Sequence, residues 1–384
     1  MSAIAIMTGV IIILFVLIGG NSYIALRLYQ GINHIFPQTN IKICILIGIF
    51  IVVIFILGFM RSFLPVSVTR KNILGVINSY WMGIFVYLLL YFLVADIILL
   101  LLRLTKVMPN PLTQNIYFFS GMLVVLLTSV TVIYGNYNAR QIKHVSYDIQ
   151  LEKNLASEYK IVLISDLHLG ALGSAKQLSN IVESINSLQA DIICIAGDIF
   201  DNDYYAIDNP KKAIHLLKSI TAKYGVYACL GNHDAGGTLG KMLDFLKDSN
   251  ITVLNDDYLV IDESLILIGR LDSSPIGGFG DMSRKNFAEV VAEIDLKLPI
   301  IVMDHNPANI SEYGNEVDLV LAGHTHRGQI FPGSLFTRAM FTVDYGYYRK
   351  DSKSPHILVT SGVGTWGMPM RLASNSEIVS IKLH

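Results

Sequence analysis

Four long stretches without a charged residue lie in the first 139 positions and restrict what this chain can fold into. They are Met1–Leu26, Ile43–Met60, 72–95 and 107–139, none of which contains Asp, Glu, Lys or Arg. A helix that is apolar on every side needs lipid or protein around it, and about 20 such residues cross a bilayer core about 30 Å thick. The sequence therefore predicts an all-α domain of four transmembrane helices, residues 1–136, with spans near 4–24, 43–60, 80–102 and 116–136.

The overall composition agrees with a membrane protein. Hydrophobic residues make up 52% of the 384 residues and charged residues 15%, against about 25% charged residues in typical soluble proteins. The formal net charge of −1 disfavours nucleic acid as a partner, because such binders depend on a strong basic field. Cys44, Cys194 and Cys229 lie in apolar stretches, and their spacing matches no disulfide framework or CxxC zinc motif.

The distribution of basic residues predicts the orientation in the membrane. A cleaved signal peptide would need a basic segment before the first apolar stretch, but no Lys or Arg precedes Arg27, so a retained anchor is favoured. Six Lys and Arg residues fall in the short segments on the side of both termini, and four fall on the other side. Because basic loops stay in the cytoplasm, we expect a multi-pass cell-membrane protein with its C-terminal half in the cytoplasm.

After residue 136 the sequence changes character. Residues 137–155 are polar and are expected to form a linker, whereas 156–384 alternate short apolar runs with amphipathic stretches. Strands separated by helix-length segments are typical of layered α/β domains, and the closer spacing of the later strands favours a mixed sheet or two sheets with helices outside. The helices are predicted near 174–188, 210–222, 238–248 and 284–294. The strands are predicted at Ile161–Ser165, Ile192–Ala196, Val226–Leu230, Ile251–Leu254, Leu259–Ile261, Leu265–Gly269, Ile300–Met303, Leu319–Ala322, Ile357–Thr360 and Ile378–Lys382.

Five of these strands end in residues of metal-binding types. Asp166 and His168 follow the first predicted strand, and Asp198 follows the second. The carboxyl ends of parallel strands form the edge at which open α/β sheets bind ligands, so these side chains are expected to converge. Any one of them alone could be an ordinary turn or helix N-cap residue, whereas all five strand ends together indicate a metal site. The other three strand ends carry Asn232, His233 and Asp234; Asp304 and His305; and His324 and His326.

The mixture of ligand types indicates which metals fit and what they could do. Imidazole, carboxylate and amide oxygen together suit borderline ions such as Mn, Fe or Zn better than Ca. Two such ions about 4 Å apart can hold the attacking and leaving oxygens of a displacement at phosphorus, provided that one ligand bridges them. Water bound to such a metal loses its proton near neutral pH, so no side-chain nucleophile is required.

In this order, the motifs resemble those of the calcineurin-like metallophosphoesterase superfamily, most closely its YkuE/YaeI-type bacterial branch. The resemblance covers about residues 155–384 and leaves out the membrane half. It implies a mixed β-sandwich flanked by helices that acts as a metal-dependent phosphoric ester hydrolase. The motifs that carry it are Ser-Asp-Leu-His-Leu-Gly at 165–170, Gly-Asp at 197–198, Leu-Gly-Asn-His-Asp at 230–234, Asp-His-Asn-Pro at 304–307, Gly-His-Thr-His-Arg-Gly-Gln-Ile-Phe-Pro at 323–332 and Ser-Gly-Val-Gly at 361–364.

The resemblance also implies roles for single residues. Two divalent or mixed-valence ions would be bound, with Asp198 bridging them together with the hydroxide that attacks phosphorus. His233 would protonate or stabilise the leaving oxygen, and Asp234 would orient His233, since a carboxylate beside a histidine sets its tautomer. The ligands of the first ion would be Asp166, His168 and His326, and those of the second Asn232, His305 and His324.

The expected substrate is a phosphorylated small molecule or lipid, cleaved at a phosphomonoester or phosphodiester bond. The superfamily includes UDP-diacylglucosamine hydrolases, so a pyrophosphatase acting on a lipid-linked substrate is an alternative. A non-catalytic membrane scaffold is a second alternative, which loss of metal ligands would favour; all seven expected positions are filled.

Several positions have no role assigned from the sequence. Asp96 lies inside the third apolar stretch, where an acid is costly in lipid and has either a functional or a structural role. Arg270 and Asp272 stand where related proteins often have two acids, and Arg371 follows the glycine-rich tail, where a surface arginine is as good an interpretation as a functional one. The aromatic and basic segment 331–350 is predicted as a β-hairpin with an aromatic core, or alternatively as a flap that meets lipid headgroups or substrate.

Overall fold

The structure, a computed structural model, describes residues 3–61 and 64–384, without the side chains of residues 3–6, 9, 10 and 13. The chain divides into two compact units, Met1–Gly135 and Asn136–His384. Each unit contains its own buried apolar clusters. The units are therefore described separately.

Long helices form the first unit. Three of the four predicted membrane-spanning helices are confirmed among the described residues, because α2, α3 and α4 are long and apolar enough to cross a membrane. The structure thus supports three such helices rather than four. The first predicted span, near 4–24, lies within α1, and part of it falls on side chains outside the described set. The helices are α1 (Ala3–Ile35), α2 (Ile41–Phe59), α3 (Val68–Leu104) and α4 (Gln114–Ala139).

Asp96 of α3 is held by two side chains of α1. Its Oδ1 atom lies 2.7 Å from Nη2 of Arg27, and its Oδ2 atom accepts a hydrogen bond of 2.5 Å from the hydroxyl of Tyr23. Arg27 is only 5% exposed and also packs against the rings of Phe92 and Tyr117. An acid inside an apolar helix is tolerated when it is paired, so this contact gives Asp96 a structural role between two helices.

Removing only one partner of this ion pair should destabilise the helical unit. Asp96→Leu leaves the Arg27 guanidinium buried without its counter-charge, which costs more than the pair itself contributes. We expect the midpoint of thermal unfolding in detergent to fall by several degrees. The double variant Arg27→Leu with Asp96→Leu should recover most of that loss. A double variant as unstable as the single one would show that the pairing is not the reason for the effect.

The second unit is built on two six-stranded sheets in the described part of the chain. In the first sheet the strand order is β1-β12-β2-β3-β4-β5. The pairs from β2 to β5 are parallel, β12 is antiparallel to β2, and β1 is parallel to β12. Its strands are β1 (Ile142–Ile149), β2 (Tyr159–Ile164), β3 (Ile192–Ala196), β4 (Gly225–Cys229), β5 (Thr252–Val253) and β12 (Ser376–Leu383).

The second sheet has the order β10-β11-β9-β8-β7-β6, with antiparallel pairs at its two edges and parallel pairs between them. The predicted mixed β-sandwich is confirmed. The structure also contains each of the ten predicted strands, with ends displaced by two residues at most. The strands are β6 (Asp257–Ile261), β7 (Leu265–Gly269), β8 (Ile300–Met303), β9 (Leu319–Ala322), β10 (Gly346–Tyr348) and β11 (His356–Val359).

Apolar side chains fill three layers of the second unit. One cluster lies between the sheets and combines residues such as Leu163 and Cys194 of the first sheet with Leu267 and Leu321 of the second. A second cluster joins the outer face of the first sheet to its helices, and a third covers the outer face of the second sheet. The helices are α5 (Ala175–Ser187), α6 (Pro210–Lys218), α7 (Leu239–Asp248), α8 (Phe287–Val290) and α9 (Gly333–Met340).

The expectation of a linker at 137–155 is wrong for most of that segment. Residues 142–149 form β1, which runs parallel to β12 along its whole length and adds an edge strand to the first sheet. From His144 to Ile149 exposed residues alternate with half-buried or buried ones, as in a strand with one solvated face. That weak alternation in a polar segment is the reason why the sequence pattern did not indicate a strand.

Candidate metal centre

The loops after five parallel strands bring the predicted site residues together. Asp166 and His168 follow β2, and Asp198 follows β3. These strands end side by side, because Ile164 of β2 pairs with Ile195 of β3. The other loops follow β4, β8 and β9 and carry Asn232, His305, His324 and His326.

The backbone at this site is strained where the ligand types occur. Asp166, His168, Asp198, His324 and His326 all have positive φ angles, between 46° and 71°. Residues other than Gly rarely adopt this left-handed backbone conformation, because it costs energy; where it occurs, it is often at functional sites. The strained turns direct the side chains toward one another instead of along the strands.

The first group of converging atoms comes from the loops after β2 and β9. Nε2 of His168 lies 3.1 Å from Nε2 of His326, and Nε2 of His326 lies 3.3 Å from Oδ1 of Asp166. That Oδ1 atom is buried and has no hydrogen-bond partner among the residues that the structure describes. A buried carboxylate oxygen without a partner is costly, so three donor atoms facing one point fit a bound cation.

The second group comes from the loops after β3, β4, β8 and β9. Nε2 of His305 lies 3.1 Å from Oδ2 of Asp198, and Nδ1 of His324 lies 3.2 Å from Nε2 of His305. Oδ1 of Asn232 lies 3.0 Å from Nδ1 of His324. His305 is oriented by its other ring nitrogen, which lies 2.7 Å from the carbonyl oxygen of Ala196. Such a carbonyl contact is typical of metal-binding histidines because it sets the tautomer.

Asp198 connects the two groups. Its Oδ2 atom is 3.1 Å from Nε2 of His305 in the second group and 3.8 Å from Nε2 of His168 in the first. Its Oδ1 atom accepts a hydrogen bond from the backbone N–H of His233. A glycine is required beside it, since a Cβ at Gly231 would come within 2.3 Å of the Asp198 carboxylate. The arrangement fits two borderline divalent ions with one shared carboxylate.

Protonation in the metal-free protein follows the same geometry. Burial alone would raise the pKa of Asp198, but the charges of His305 and His168 hold it well below its usual range. Burial alone would lower the pKa of His305, but the charge of Asp198 raises it well above its usual value. Burial and the nearby His305 lower the pKa of His324 to about 3. A proton on His305 thus compensates the buried carboxylate that a cation would neutralise.

His233 lies beside the first group, with its ring 5.1 Å from that of His168, and its side chain is not hydrogen-bonded to Asp234. The carboxylate of Asp198 accepts a hydrogen bond from the backbone N–H of His233, and the Nδ1 atom of His233 has no hydrogen-bond partner within the described part of the chain. The expectation that Asp234 orients His233 is wrong. The Asp234 carboxylate is fully buried and accepts hydrogen bonds from the backbone N–H groups of Phe200 and Gly231, so it ties two loops together. Burial and the charge of Asp198 raise the pKa of Asp234 to about 7.

Asp201 takes the position expected of Asp234. Donor atoms of His168, Asp201 and His233 all lie within 4.8 Å of one another, and the charge of Asp201 favours the protonated form of His233. Asp201 follows Asp198 by three residues. That spacing was the one signal that could have identified Asp201 as a partner of His233, because both acids lie in the short loop after β3.

Arg371 is fully buried behind the first group, so the interpretation as a surface arginine is wrong. Its Nε donates to the carbonyl oxygen of Gly364, its Nη1 to Oγ of Ser374 and its Nη2 to the carbonyl oxygen of Ser361. Nη2 also lies 3.1 Å from Nδ1 of His326. Burial lowers the pKa of Arg371 to about 10. Arg371 thus fixes the glycine-rich tail against a candidate ligand.

The remaining unassigned charges form a separate buried network. Arg270 pairs with Asp256 at 2.9 Å, and Arg284 pairs with Asp304 at 2.7 Å. Asp272 accepts a hydrogen bond from the backbone N–H of Ser274. These contacts fix the loops behind His305 and give the charged residues structural roles.

The segment 331–350 is mostly not a hairpin. Residues 333–340 form α9, none of whose residues is buried, and only 346–348 pair with β11. The prediction of a hairpin with an aromatic core is therefore wrong. Phe341, just after α9, places its ring 5.9 Å from that of His324, so the segment lies beside the second group.

Comparisons with known proteins identify the family to which the second unit is similar. The family model described as calcineurin-like phosphoesterase matches residues 159–328. An uncharacterized metallophosphoesterase of Helicobacter pylori is 33% identical over 244 residues, 61% of this chain and 62% of the relative. The chain thus spans about three fifths of that relative's length.

Two further relatives are similar to larger shares of their own length. The uncharacterized metallophosphoesterase YkuE of Bacillus subtilis is 31% identical over 59% of this chain and 79% of its own length. A transmembrane protein with metallophosphoesterase domain from Danio rerio is 29% identical over 82% of this chain and 75% of its own length. The second similarity extends well beyond the 170 or so residues of the family model.

Proposed function

Because this chain belongs to the calcineurin-like metallophosphoesterase family of phosphoester hydrolases, we propose that it is a membrane-anchored enzyme with a dinuclear centre that cleaves phosphomonoesters or phosphodiesters. The observation that carries the proposal is Asp198, whose Oδ2 atom lies within 3.1 Å and 3.8 Å of imidazole nitrogens from two separate groups. One shared carboxylate between two ligand sets supports two adjacent ions rather than one.

Each candidate ligand has a defined place in the proposed centre. Asp166, His168 and His326 would hold one ion; Asn232, His305 and His324 would hold the other. When bound, Mn, Fe or Zn would supply a nucleophilic water near neutral pH and neutralise charge on the phosphate oxygens. The strained turns keep the ligand side chains preorganised, so little reorganisation is needed during the reaction.

His233 is the proposed proton donor to the leaving oxygen. Its ring lies beside the first group but is not needed for either ligand set, so it is available to the substrate. Asp201 favours its protonated form through charge, and burial opposes that form. Burial prevails, so the pKa of His233 lies below its usual value, and its protonated form is a stronger acid than a free imidazolium.

The same evidence bears on the alternative of a non-catalytic scaffold and on the side of the membrane. A scaffold without activity would not need seven converging ligand positions, five of them with strained backbones, so the enzyme is favoured. The distribution of Lys and Arg supports a cytoplasmic catalytic unit, which we retain as part of the proposal.

Removal and restoration of metals tests the proposed function. Purified full-length protein stripped by a chelator should lose activity on p-nitrophenyl phosphate, bis(p-nitrophenyl) phosphate and a lipid pyrophosphate. Activity on at least one of them should return with Mn, Fe or Zn, together with about two ions per chain. Metal affinity should fall toward low pH, because His305 must lose its proton to act as a ligand. Undiminished activity in the stripped protein, or none with two ions bound, would contradict the proposal.

A further inference from the structure

Helix α9 presents its apolar side to the outside. Leu335, Phe336 and Met340 are 56%, 65% and 75% exposed. The opposite side carries small polar residues, including Thr337, whose hydroxyl bonds to the carboxylate of Asp344. A helix on the surface of a soluble domain normally has the reverse arrangement, with its apolar stripe toward the core. An exposed apolar patch of this kind marks an interaction surface.

A fourth exposed apolar residue, Trp366, is hydrogen-bonded to the segment that precedes α9. Trp366 is 48% exposed, and its backbone N–H donates to Oε1 of Gln329 at 2.8 Å. Nε2 of Gln329 in turn donates to the carbonyl oxygens of Trp366 and Met368. Gln329 lies four residues before α9 and thus joins the two apolar parts. We call Leu335, Phe336, Met340 and Trp366 the apolar rim.

The apolar rim borders the candidate metal centre. The ring of Trp366 lies 6.0 Å from the ring of His233, and the ring of Phe341, which follows α9 directly, lies 5.9 Å from that of His324. A substrate that reaches the metals past these residues would meet an apolar surface. This suits a molecule with a hydrocarbon part next to its phosphate.

The loop that carries Trp366 is also bonded to the end of α4. Nδ2 of Asn136 donates to the carbonyl oxygen of Pro369 at 2.9 Å, and Nδ2 of Asn138 donates to that of Arg371 at 3.1 Å. Residues from Asn136 onward belong to the second unit. The helix α4 is itself long and apolar enough to cross a membrane. The loop is therefore fastened to the last turn of α4.

We propose that the apolar rim inserts into the surface of the bilayer that holds this chain's own helices, and that the substrate is a phosphoester with an acyl or alkyl chain drawn from that bilayer. The substrate part of this inference rests on the proposed function. The bilayer is the occupant that fits, because the loop that carries Trp366 is bonded to Asn136 and Asn138 in the last turn of α4, a helix long and apolar enough to cross a membrane. Arg338, exposed on the flank of α9, is placed to meet phosphate headgroups, as basic residues at interfaces do.

Two substrates with the same reacting group test the substrate class. Full-length protein in vesicles of phosphatidylcholine and phosphatidylglycerol is assayed with hexadecyl p-nitrophenyl phosphate and with ethyl p-nitrophenyl phosphate. The triple variant Leu335→Ser, Phe336→Ser, Met340→Ser should lose about tenfold in kcat/KM on the hexadecyl ester, equivalent to about 1.4 kcal/mol. Its rate on the ethyl ester should stay within about twofold. The matched control is Val260→Ser with Leu296→Ser, two exposed apolar residues outside the rim.

A spin label tests the contact with the bilayer without any reaction. Phe336→Cys and Val260→Cys are labelled in the background Cys44→Ser, since Cys194 and Cys229 are buried. In vesicles the label at 336 should be accessible to oxygen, which concentrates in lipid, and protected from a water-soluble nickel chelate. The label at 260 should show the opposite pattern.

The outcomes separate this inference from the proposed function. A label at 336 as accessible to nickel as the label at 260 would overturn the docking of the rim, whatever the activity. Equal loss on both esters in the triple variant would overturn the substrate class while leaving the phosphoesterase activity intact. A protected label in a protein inactive on both esters would support the docking and count against the proposed function and the substrate class together.

Discussion

Asp198→Asn should reduce kcat about 10³-fold or more and lower the content of both metals together. Asp198 is shared by the two ligand groups, so replacing one carboxylate oxygen by an amide weakens both sites at once. Several kcal/mol of transition-state stabilisation come from such a metal pair, and each 1.36 kcal/mol is a factor of ten in rate. The variant also leaves a protonated His305 without its counter-charge at 3.1 Å. Elemental analysis of the purified variant, alongside kcat, measures both effects.

Asn232→Ala is the informative comparison for this variant. The side chain of Asn232 contacts the second group through His324, so its loss should lower the content of one ion and leave the other largely in place. Asp248→Asn, a matched change at an exposed position at the end of α7, should alter neither activity nor metal content. Two full equivalents of metal and normal kcat in Asp198→Asn would rule out the shared-carboxylate centre.

The strands could be predicted from the sequence because buried parallel strands have a strong local signature. Ile161–Ser165 and Ile192–Ala196 are continuous apolar runs that end in polar turns, and such runs occur where both faces of a sheet are covered. Strand β1 lacks this signature, because it lies at a sheet edge and alternates only weakly. Helix α9 could not be predicted for another reason. Its apolar residues are exposed, so they give no pattern of burial that distinguishes a helix from an aromatic hairpin.

The candidate ligands could be predicted because their position depends only on topology. Parallel strands bring their carboxyl ends to one edge, so polar residues such as Asp166 and Asp198 must meet there. Contacts within loops do not follow from topology. Asp234 is next to His233 in the sequence, whereas Asp201 is close to it in space. Only the path of the loop after β3 decides that Asp201, and not Asp234, lies near the imidazole. Arg371 was ambiguous for the same reason, since nothing in its local sequence shows that the tail folds over it.

His233→Ala should retain both metals and lose about 10²–10⁴-fold in kcat, the usual effect of removing a general acid. His233 belongs to neither ligand set, so its loss leaves the centre assembled. The loss should be largest for an alkyl phosphate, whose leaving oxygen needs a proton, and small for a nitrophenyl phosphate, whose leaving group does not. His215→Ala, at an exposed position of α6, is the matched control and should have no effect.

Asp201→Asn should give the pH signature of the same role. Burial lowers the pKa of His233, and the charges of Asp198 and Asp201 raise it. Removing the charge of Asp201 therefore lowers that pKa, so the protonated form that donates to the leaving oxygen is lost at a lower pH. The descending limb of the profile of kcat/KM against pH should move to lower pH with the alkyl phosphate and stay in place with the nitrophenyl phosphate.

Equal losses of kcat on both substrates in His233→Ala would instead mean that His233 stabilises the phosphate. Loss of an ion in that variant would place His233 among the ligands.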